Sequence, residues 1–275
     1  SGHWVYRRAL DVIRDVRNNR KLAFTSPSLI PSAALLDSRT TLTLPPAVTA
    51  ATGMDALAHA VEAYTGLAAN PISDSYALNA VEMIASSLPE AIEHPDNPEK
   101  RLQMAAASHL SGIAFSNSMV GIVHTIGHCI GARCRIPHGV CMSILLPYGM
   151  TYNLHRRKER YADLLKVLSG KTVYQETPKK DRPEAAVQAV RSLAARLHSL
   201  TRGEHPLRFR DILDSSRQPA MKPQHIPVIA ADALGDPSHL YNPEEISYEE
   251  LISVIRAAYW GYPLDTDLVK KGHQK

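Results

Sequence analysis

Residues 52–64 read TGMDALAHAVEAY, and the helical pattern of this alanine-rich stretch is repeated along most of the chain. Its large apolar residues recur at the spacing of one helical face. Asp55, His59 and Glu62 lie at i, i+4 and i+7, so a helix places an acid, an imidazole and a second acid together on another face. The alanines between them let neighbouring helices approach closely. The stretch therefore predicts a well-packed helix that carries a polar face.

The same helical periodicity continues along most of the chain. It predicts helices near 47–65, 74–88, 98–116, 119–131, 139–153, 157–168, 183–200, 223–234 and 247–260. Ser73 is a predicted cap before one of these helices, and Gly131 is predicted to close another. The polar, proline-bearing segments 169–182 and 201–222 are predicted to be connectors.

The N-terminal part of the chain has a different pattern. Residues 4–20 have the pattern of a basic amphipathic helix, and we expect it to lie solvated on the domain. The alternative is a helix that binds a membrane or nucleic-acid surface. Segments 33–36 and 40–44 are the two predicted strand pieces, and Pro45 follows them. The fold class predicted is mainly α: a helical, bundle-like domain with one or two short N-terminal strands. The domains predicted are an unassigned amphipathic helix at 1–21, a strand segment at 22–46 and a helical domain at 47–275.

Composition narrows the classes of function. The 275 residues are 44% hydrophobic and 21% charged, which is typical of a soluble globular protein. A net charge of +4 does not require a nucleic-acid partner, and no apolar run is long enough to cross a bilayer. Three cysteines argue against a disulfide framework and for a reducing, cytoplasmic location. The sequence also lacks a G-x-G-x-x-G or Walker pattern for binding phosphates.

A second polar cluster occupies residues 121–139, GIVHTIGHCIGARCRIPHG. His124 and His128 stand one helical turn apart among isoleucines and valine, so this helix is predicted to be buried. Buried imidazoles need partners, because unsatisfied polar groups are costly in a core. His138 lies between a proline and a glycine, where a rigid turn can aim its side chain. Three histidines in fifteen residues favour one metal site shared with the Asp55–His59 helix.

The candidate ligands are therefore Asp55, His59, His124 and His138. Three imidazoles and one carboxylate form a nitrogen-rich site that suits Fe(II) or Zn(II) better than Ca(II) or Mg(II). The plainer alternative for Asp55 and His59 is a surface pair worth a few tenths of a kcal/mol. The spacing of Cys129, Cys134 and Cys141 does not match a zinc knuckle, and Cys129 and Cys141 are expected to pack as small apolar groups.

At these residues the sequence resembles the iron-containing (group III) alcohol dehydrogenase family. TGMDALAHAVEAY (52–64) resembles the first signature of that family, and GIVHTIGHCIGARCRIPHGVCMSILLPYGMTYN (121–153) resembles the second. The resemblance runs from about residue 26 to residue 260. It implies the C-terminal domain of a dehydroquinate synthase-like fold, with residues 22–46 as the last strand segment of the nucleotide-binding domain.

The resemblance also implies a chemistry. The family holds one divalent metal, usually iron and sometimes zinc, and by motif its ligands are Asp55, His59, His124 and His138. His128 corresponds to a histidine near nicotinamide and substrate, which makes it a candidate catalytic residue for proton relay. The implied reaction is reversible oxidation of a small alcohol to an aldehyde or ketone with NAD(P). A homo-oligomer is expected, with neither nucleic-acid nor membrane partners.

The family's glycine-rich cofactor loop does not occur in this sequence. We therefore predict a truncated form that carries the metal and substrate site and binds NAD(P) weakly or not at all by itself. One alternative is a catalytically incomplete metal-binding or assembly module that lacks the dinucleotide site. A second is a metal-assisted hydrolase or lyase that uses the same four ligands.

Overall fold

The structure is a computed structural model that describes residues 10–15, 20–25 and 31–266, with side chains in the last range, and it is mainly α. Residues 31–266 form nine α-helices: α1 (Pro46–Thr65), α2 (Pro71–Glu93), α3 (Pro98–Ser118), α4 (Ile122–Cys134), α5 (His138–Asn153), α6 (Lys158–Glu176), α7 (Arg182–Leu200), α8 (Ile226–Ala233) and α9 (Tyr248–Trp260). Each of the nine helices predicted from the sequence is confirmed.

Helix α1 is the central element of the domain. It is buried on nearly every side from Thr49 to Thr65, which explains why so many of its residues are alanines. Helices α2, α3 and α5 pack around it. Small side chains let these helices approach without voids, and dense packing of this kind stabilises the core. The polar face predicted for α1 therefore lies inside the protein.

Two cap predictions are wrong in detail. The N-cap of α2 is Asn70, whose side chain accepts hydrogen bonds from two backbone N–H groups, while Ser73 completes a capping box from inside the helix. Gly131 does not end α4. That helix runs to Cys134, and Arg135 ends it in the left-handed region at φ 57°.

The predicted helix over residues 4–20 is also wrong where the structure describes it. Leu10–Asp15 (β1) and Arg20–Thr25 (β2) form an antiparallel hairpin in which Leu10 pairs with Thr25 and Asp15 with Arg20. The remaining residues of 4–20 lie outside the described residues. A short apolar run fits either period, and the β-branched Val12 and Ile13 favour a strand.

The strand pieces predicted at 33–36 and 40–44 do not form. Residues 38–40 make a 3₁₀ turn that Asp37 caps by accepting a hydrogen bond from the Arg39 backbone. The Thr40 hydroxyl donates to the Asp37 carbonyl, and the Thr41 hydroxyl donates to the Ser38 carbonyl. Such local bonds give the backbone an alternative to a strand ladder.

The connector predicted at 169–182 is partly helical. Helix α6 continues to Glu176 across a break at Gly170, which has φ 86° and ψ 168°. Glycine carries no penalty in this left-handed region. The connector predicted at 201–222 is confirmed as irregular chain with one 3₁₀ turn, Phe209–Asp211, and one isolated bridge between Leu213 and Pro219.

Among residues 10–15, 20–25 and 31–266, no single helix is both long and apolar enough to cross a bilayer. Helices α3 and α4 meet the length and composition criteria only as a pair, which is bent by 107°.

Candidate metal centre

Three imidazoles surround one carboxylate oxygen where α1, α4 and α5 meet. Asp55 Oδ1 lies 3.5 Å from His138 Nε2, 3.8 Å from His124 Nε2 and 3.7 Å from His59 Nδ1. In the tightest group, which comprises Asp55, His124 and His138, the ligand atoms all lie within 4.8 Å of one another. Of the four residues that the sequence selected, the structure thus brings Asp55, His124 and His138 into one group and places His59 next to Asp55, outside that group.

The separations within this cluster suit a shared cation. All three nitrogens are farther from Asp55 Oδ1 than a hydrogen bond allows. A tetrahedral site with bonds of about 2.1 Å places neighbouring ligand atoms about 3.4 Å apart, close to the separations seen here. His124 Nε2 is buried and has no hydrogen-bond partner among residues 31–266. The donor set and its spacing therefore fit a divalent metal.

The His59 ring is held from two sides. It stacks on the Phe115 ring with centroids 4.4 Å apart and planes at 20°. It also lies 4.4 Å from the His124 ring. Because Phe115 belongs to α3, a fourth helix fixes the orientation of an imidazole on α1.

A glycine allows His138 to reach the cluster. His138 is the first residue of α5, after Pro137, and α5 packs there against α1. A Cβ on Gly139 would lie 2.3 Å from the carbonyl oxygen of Ala51, which is a backbone atom that cannot move aside. Only glycine permits this approach, so Gly139 allows His138 to stand beside Asp55.

Side chains that are distant in the sequence cap the N-terminus of α4. The N-cap residue Gly121 provides no side-chain hydrogen bond. The Ile122 N–H donates to Asn242 Oδ1 at 3.1 Å, and the Val123 N–H donates to Glu62 Oε1 at 2.7 Å. These two bonds satisfy backbone donors that a helix leaves unpaired at its N-terminus.

The other oxygen of Glu62 meets His124, with Oε2 at 2.5 Å from Nδ1. Burial disfavours the charged imidazole, but the hydrogen bond and the negative charge of Glu62, together with Asp55, outweigh it and raise the pKa of His124. Since a carboxylate can only accept, His124 carries its proton on Nδ1 in this bond.

His128 stands beside the cluster and reaches solvent. Its ring stacks on that of His138 at 5.4 Å, and its side chain is 27% exposed. His128 Nδ1 lies 2.9 Å from Asp236 Oδ2. Burial would raise the pKa of Asp236, but the hydrogen bonds from His128 and Ser238 prevail and lower it. Asp236 is therefore an ionised acceptor for the Nδ1 proton of His128.

Cys129, Cys134 and Cys141, all within the described residues, do not belong to this group of ligand atoms. Cys141 is fully buried. Burial raises the pKa of Cys134 to about 11, which disfavours the thiolate form. Cys141 lies in the hydrophobic core and Cys129 packs against it, in agreement with the prediction that these two residues pack as small apolar groups.

Sequence reasoning missed three functional neighbours: Asp236, Asn242 and the contact that Glu62 makes with His124. Glu62 had a signal, since it shares the helical face of Asp55 and His59. Asp236 and Asn242 had none, because they lie 108 and 120 residues along the chain from the groups they bond.

Comparison with known proteins gives a consistent picture. The model of the family described as "Fe-containing alcohol dehydrogenase family, C-terminal" matches residues 49–259. Alcohol dehydrogenase 4 of Saccharomyces cerevisiae is 32% identical over 250 residues, which are 90% of this chain and 60% of the yeast protein. The NADPH-dependent butanol dehydrogenase of Clostridium saccharobutylicum is 32% identical over 263 residues, covering 94% of this chain and 62% of its own length.

A crystal structure of a 1,3-propanediol oxidoreductase superposes with a TM-score of 0.83 at 32% identity. The match covers 92% of this chain and 62% of that structure. This chain spans about 60% of the length of the curated relatives that it matches.

Proposed function

Because the chain belongs to the Fe-containing alcohol dehydrogenase family, we propose that it carries the metal and substrate site of an NAD(P)-dependent alcohol dehydrogenase. The reaction is the reversible oxidation of a small alcohol to an aldehyde or ketone. The observation that carries the proposal is the arrangement of three imidazole nitrogens 3.5–3.8 Å from Asp55 Oδ1.

The metal would be held by Asp55, His59, His124 and His138. Imidazole and carboxylate donors suit iron, and zinc accepts the same set. When bound, such a metal polarises the oxygen of the alcohol and lowers its pKa. His59 and His124 are almost fully buried, so this side of the site excludes water.

His128 is proposed as the catalytic residue that moves the alcohol proton. Its Nδ1–H donates to Asp236, which leaves Nε2 as the basic nitrogen. Because its side chain is partly exposed beside buried His124, a proton can pass from the site towards solvent. Asp236 holds the ring in one tautomer and stabilises the imidazolium that forms, as an orienting carboxylate does in other acid–base sites.

Several features of the complete enzyme are part of this proposal. The butanol relative is named as NADPH-dependent, which supports NAD(P) as the hydride acceptor. We expect this chain alone to bind NAD(P) weakly, because a pyrophosphate needs a glycine-rich loop at a helix N-terminus. Assembly into a homo-oligomer, a cytoplasmic location and the absence of nucleic-acid and membrane partners are further expectations.

The test uses the protein loaded with Co(II), a paramagnetic substitute for iron. Relaxation of the 1-butanol protons should be strongest at the carbon that bears the hydroxyl, and Asp55→Asn should abolish the effect together with metal binding. Metal binding without relaxation of 1-butanol would favour the binding-module reading. Hydrolysis of activated esters by the loaded protein would favour the hydrolase reading.

A further inference from the structure

We infer that Glu62 is a positioning residue that sets metal affinity by fixing the tautomer and orientation of His124. The inference rests on the proposed metal site. Glu62 would not itself be a ligand. The inference follows from the two hydrogen bonds that the two oxygens of its buried carboxylate accept.

Each oxygen of Glu62 has its own donor. Oε1 accepts from the Val123 backbone at 2.7 Å, and Oε2 accepts from His124 Nδ1 at 2.5 Å. Glu62 is only 5% exposed, so water cannot easily replace either contact. One side chain of α1 thus holds both the N-terminus of α4 and the imidazole that α4 carries.

Glu62 leaves His124 ready to act as a ligand. With the proton on Nδ1, the lone pair of Nε2 faces Asp55 Oδ1 at 3.8 Å. A carboxylate behind a ligating imidazole fixes the tautomer and raises the basicity of the ligating nitrogen. The bond to Val123 prevents Glu62 from rotating away, because rotation would leave a buried backbone donor unpaired.

The two neighbours of Glu62 at the start of α4, Gly121 and Asn242, cannot take over this role. A Cβ on Gly121 would lie 2.7 Å from Asn242 Oδ1 and 3.2 Å from Glu62 Oε1, so the N-cap must stay small. Asn242 is already engaged with the Ile122 backbone and with Asn153. The Val123 N–H and the Nδ1–H of His124 therefore depend on Glu62.

Glutamine at position 62 cannot replace both contacts. It has one acceptor oxygen and one NH₂ donor. If the oxygen stays on Val123, the NH₂ group faces His124 Nδ1 and favours the tautomer with its proton on Nε2. In that tautomer the nitrogen that faces Asp55 has no lone pair for a metal. If the amide turns over, two donors face each other at the start of α4.

The structure offers a matched control in Glu250. This buried carboxylate accepts hydrogen bonds from the Ser247 backbone at the start of α9, from the Ser247 hydroxyl and from the Tyr152 hydroxyl. Glu250→Gln therefore disturbs a helix N-terminus and a buried carboxylate without touching the histidine cluster.

The experiment measures the dissociation constant for Zn²⁺ in wild type, Glu62→Gln, Glu250→Gln and His124→Ala by competition with a chromophoric chelator. Circular dichroism checks the fold of each protein. We expect Glu62→Gln to weaken zinc binding by about 10- to 100-fold, which is the usual cost of losing an outer-shell partner, and Glu250→Gln to leave it unchanged. Glu62→Asp retracts the carboxylate by one methylene and should also weaken binding, which keeps the test open if the glutamine variant does not fold.

A second readout reports the hydrogen bond itself. In the zinc-loaded wild type, the Nδ1–H proton of His124 should give a downfield NMR resonance, as a charge-assisted bond requires, and it should move upfield in Glu62→Gln. Wild-type affinity in Glu62→Gln, with affinity lost in His124→Ala, overturns the role of Glu62 and leaves the metal site standing. Wild-type affinity in His124→Ala overturns both.

Discussion

His124 and His205 are both buried imidazoles in the same domain, yet their surroundings have opposite effects. His124 is 2% exposed and bonded to the Glu62 carboxylate, and its pKa is raised although burial opposes the charged form. His205 is 1% exposed, and its Nε2 lies 2.7 Å from the Ser143 hydroxyl on α5. Burial, with a smaller effect from His198, lowers the pKa of His205 to about 4.

The difference between them is a negative charge. A carboxylate beside a buried imidazole stabilises positive charge there, whether a proton or a metal supplies it. A hydroxyl supplies a hydrogen bond but no charge, so His205 stays neutral and contributes to packing. Burial of a histidine is therefore a weak indicator of function until its partner is known.

The largest expected effect separates the two histidines by metal binding. His124→Ala should weaken zinc binding by more than about 100-fold, because losing a ligand costs more than losing an outer-shell partner. His205→Gln should leave zinc binding unchanged. Metal analysis after dialysis measures both variants. Equal metal content in the two proteins would show that the cluster around Asp55 is not the metal centre.

The next effect separates binding from chemistry within the histidine cluster. His128→Ala should keep the metal but lower the rate of NADP reduction with 1-butanol by about 10²- to 10⁴-fold, the usual contribution of a general acid–base group. The rates are compared at an NADP concentration high enough to offset the weak binding expected of this chain. Asp236→Asn should give a smaller loss, because the imidazole remains. If His128→Ala were isolated without metal, His128 would instead be a metal ligand.

The third effect is a loss of stability at low pH, to which His205 contributes and His124 does not. Its folded pKa of about 4 lies below its value in the unfolded chain, so the unfolded state takes up the proton first. The full stabilisation is present above about pH 6.5 and falls by about 3 kcal/mol as the pH drops to 4. Urea unfolding at several pH values should show this loss in wild type and less of it in His205→Gln. Parallel curves would mean that His205 takes up a proton as readily in the folded protein as in the unfolded chain.

The smallest effect tests whether close packing of α5 against α1 places His138 in the histidine cluster. Gly139→Ala should destabilise the fold by about 1–3 kcal/mol, since the new Cβ would overlap the Ala51 carbonyl. It should also weaken zinc binding by moving His138. Gly235→Ala is the control, because its Cβ would approach only the Asp232 carbonyl at 3.4 Å. Thermal unfolding of the metal-free proteins measures the difference, and equal melting temperatures would contradict the packing argument.

Much of the fold could be predicted because each helix has a periodic pattern within its own segment of sequence. The alanine-rich period of α1 and the apolar period of α4 lie within single segments of sequence. The N-terminal hairpin could not be predicted in this way, because β1 is a strand only through pairing with β2. The threonines at 40 and 41 alternate like a strand but bond to their own backbone. Alternation does not distinguish these two outcomes.

The sequence by itself determined which side chains face together along each helix. Asp55 and His59 are one turn apart on α1, and His124 and His128 are one turn apart on α4, because 3.6 residues make a turn whatever the surroundings. Their assignment as metal ligands and proton carrier stays a prediction.

Only the tertiary structure decided which helices meet and what stands behind each imidazole. Glu62 bonds His124 across 62 positions, and Asp236 bonds His128 across 108. Whether a buried histidine is held neutral or made ready for a cation depends on such distant carboxylates. Charge interactions act through space over a few ångströms, and no local pattern in the sequence records that proximity.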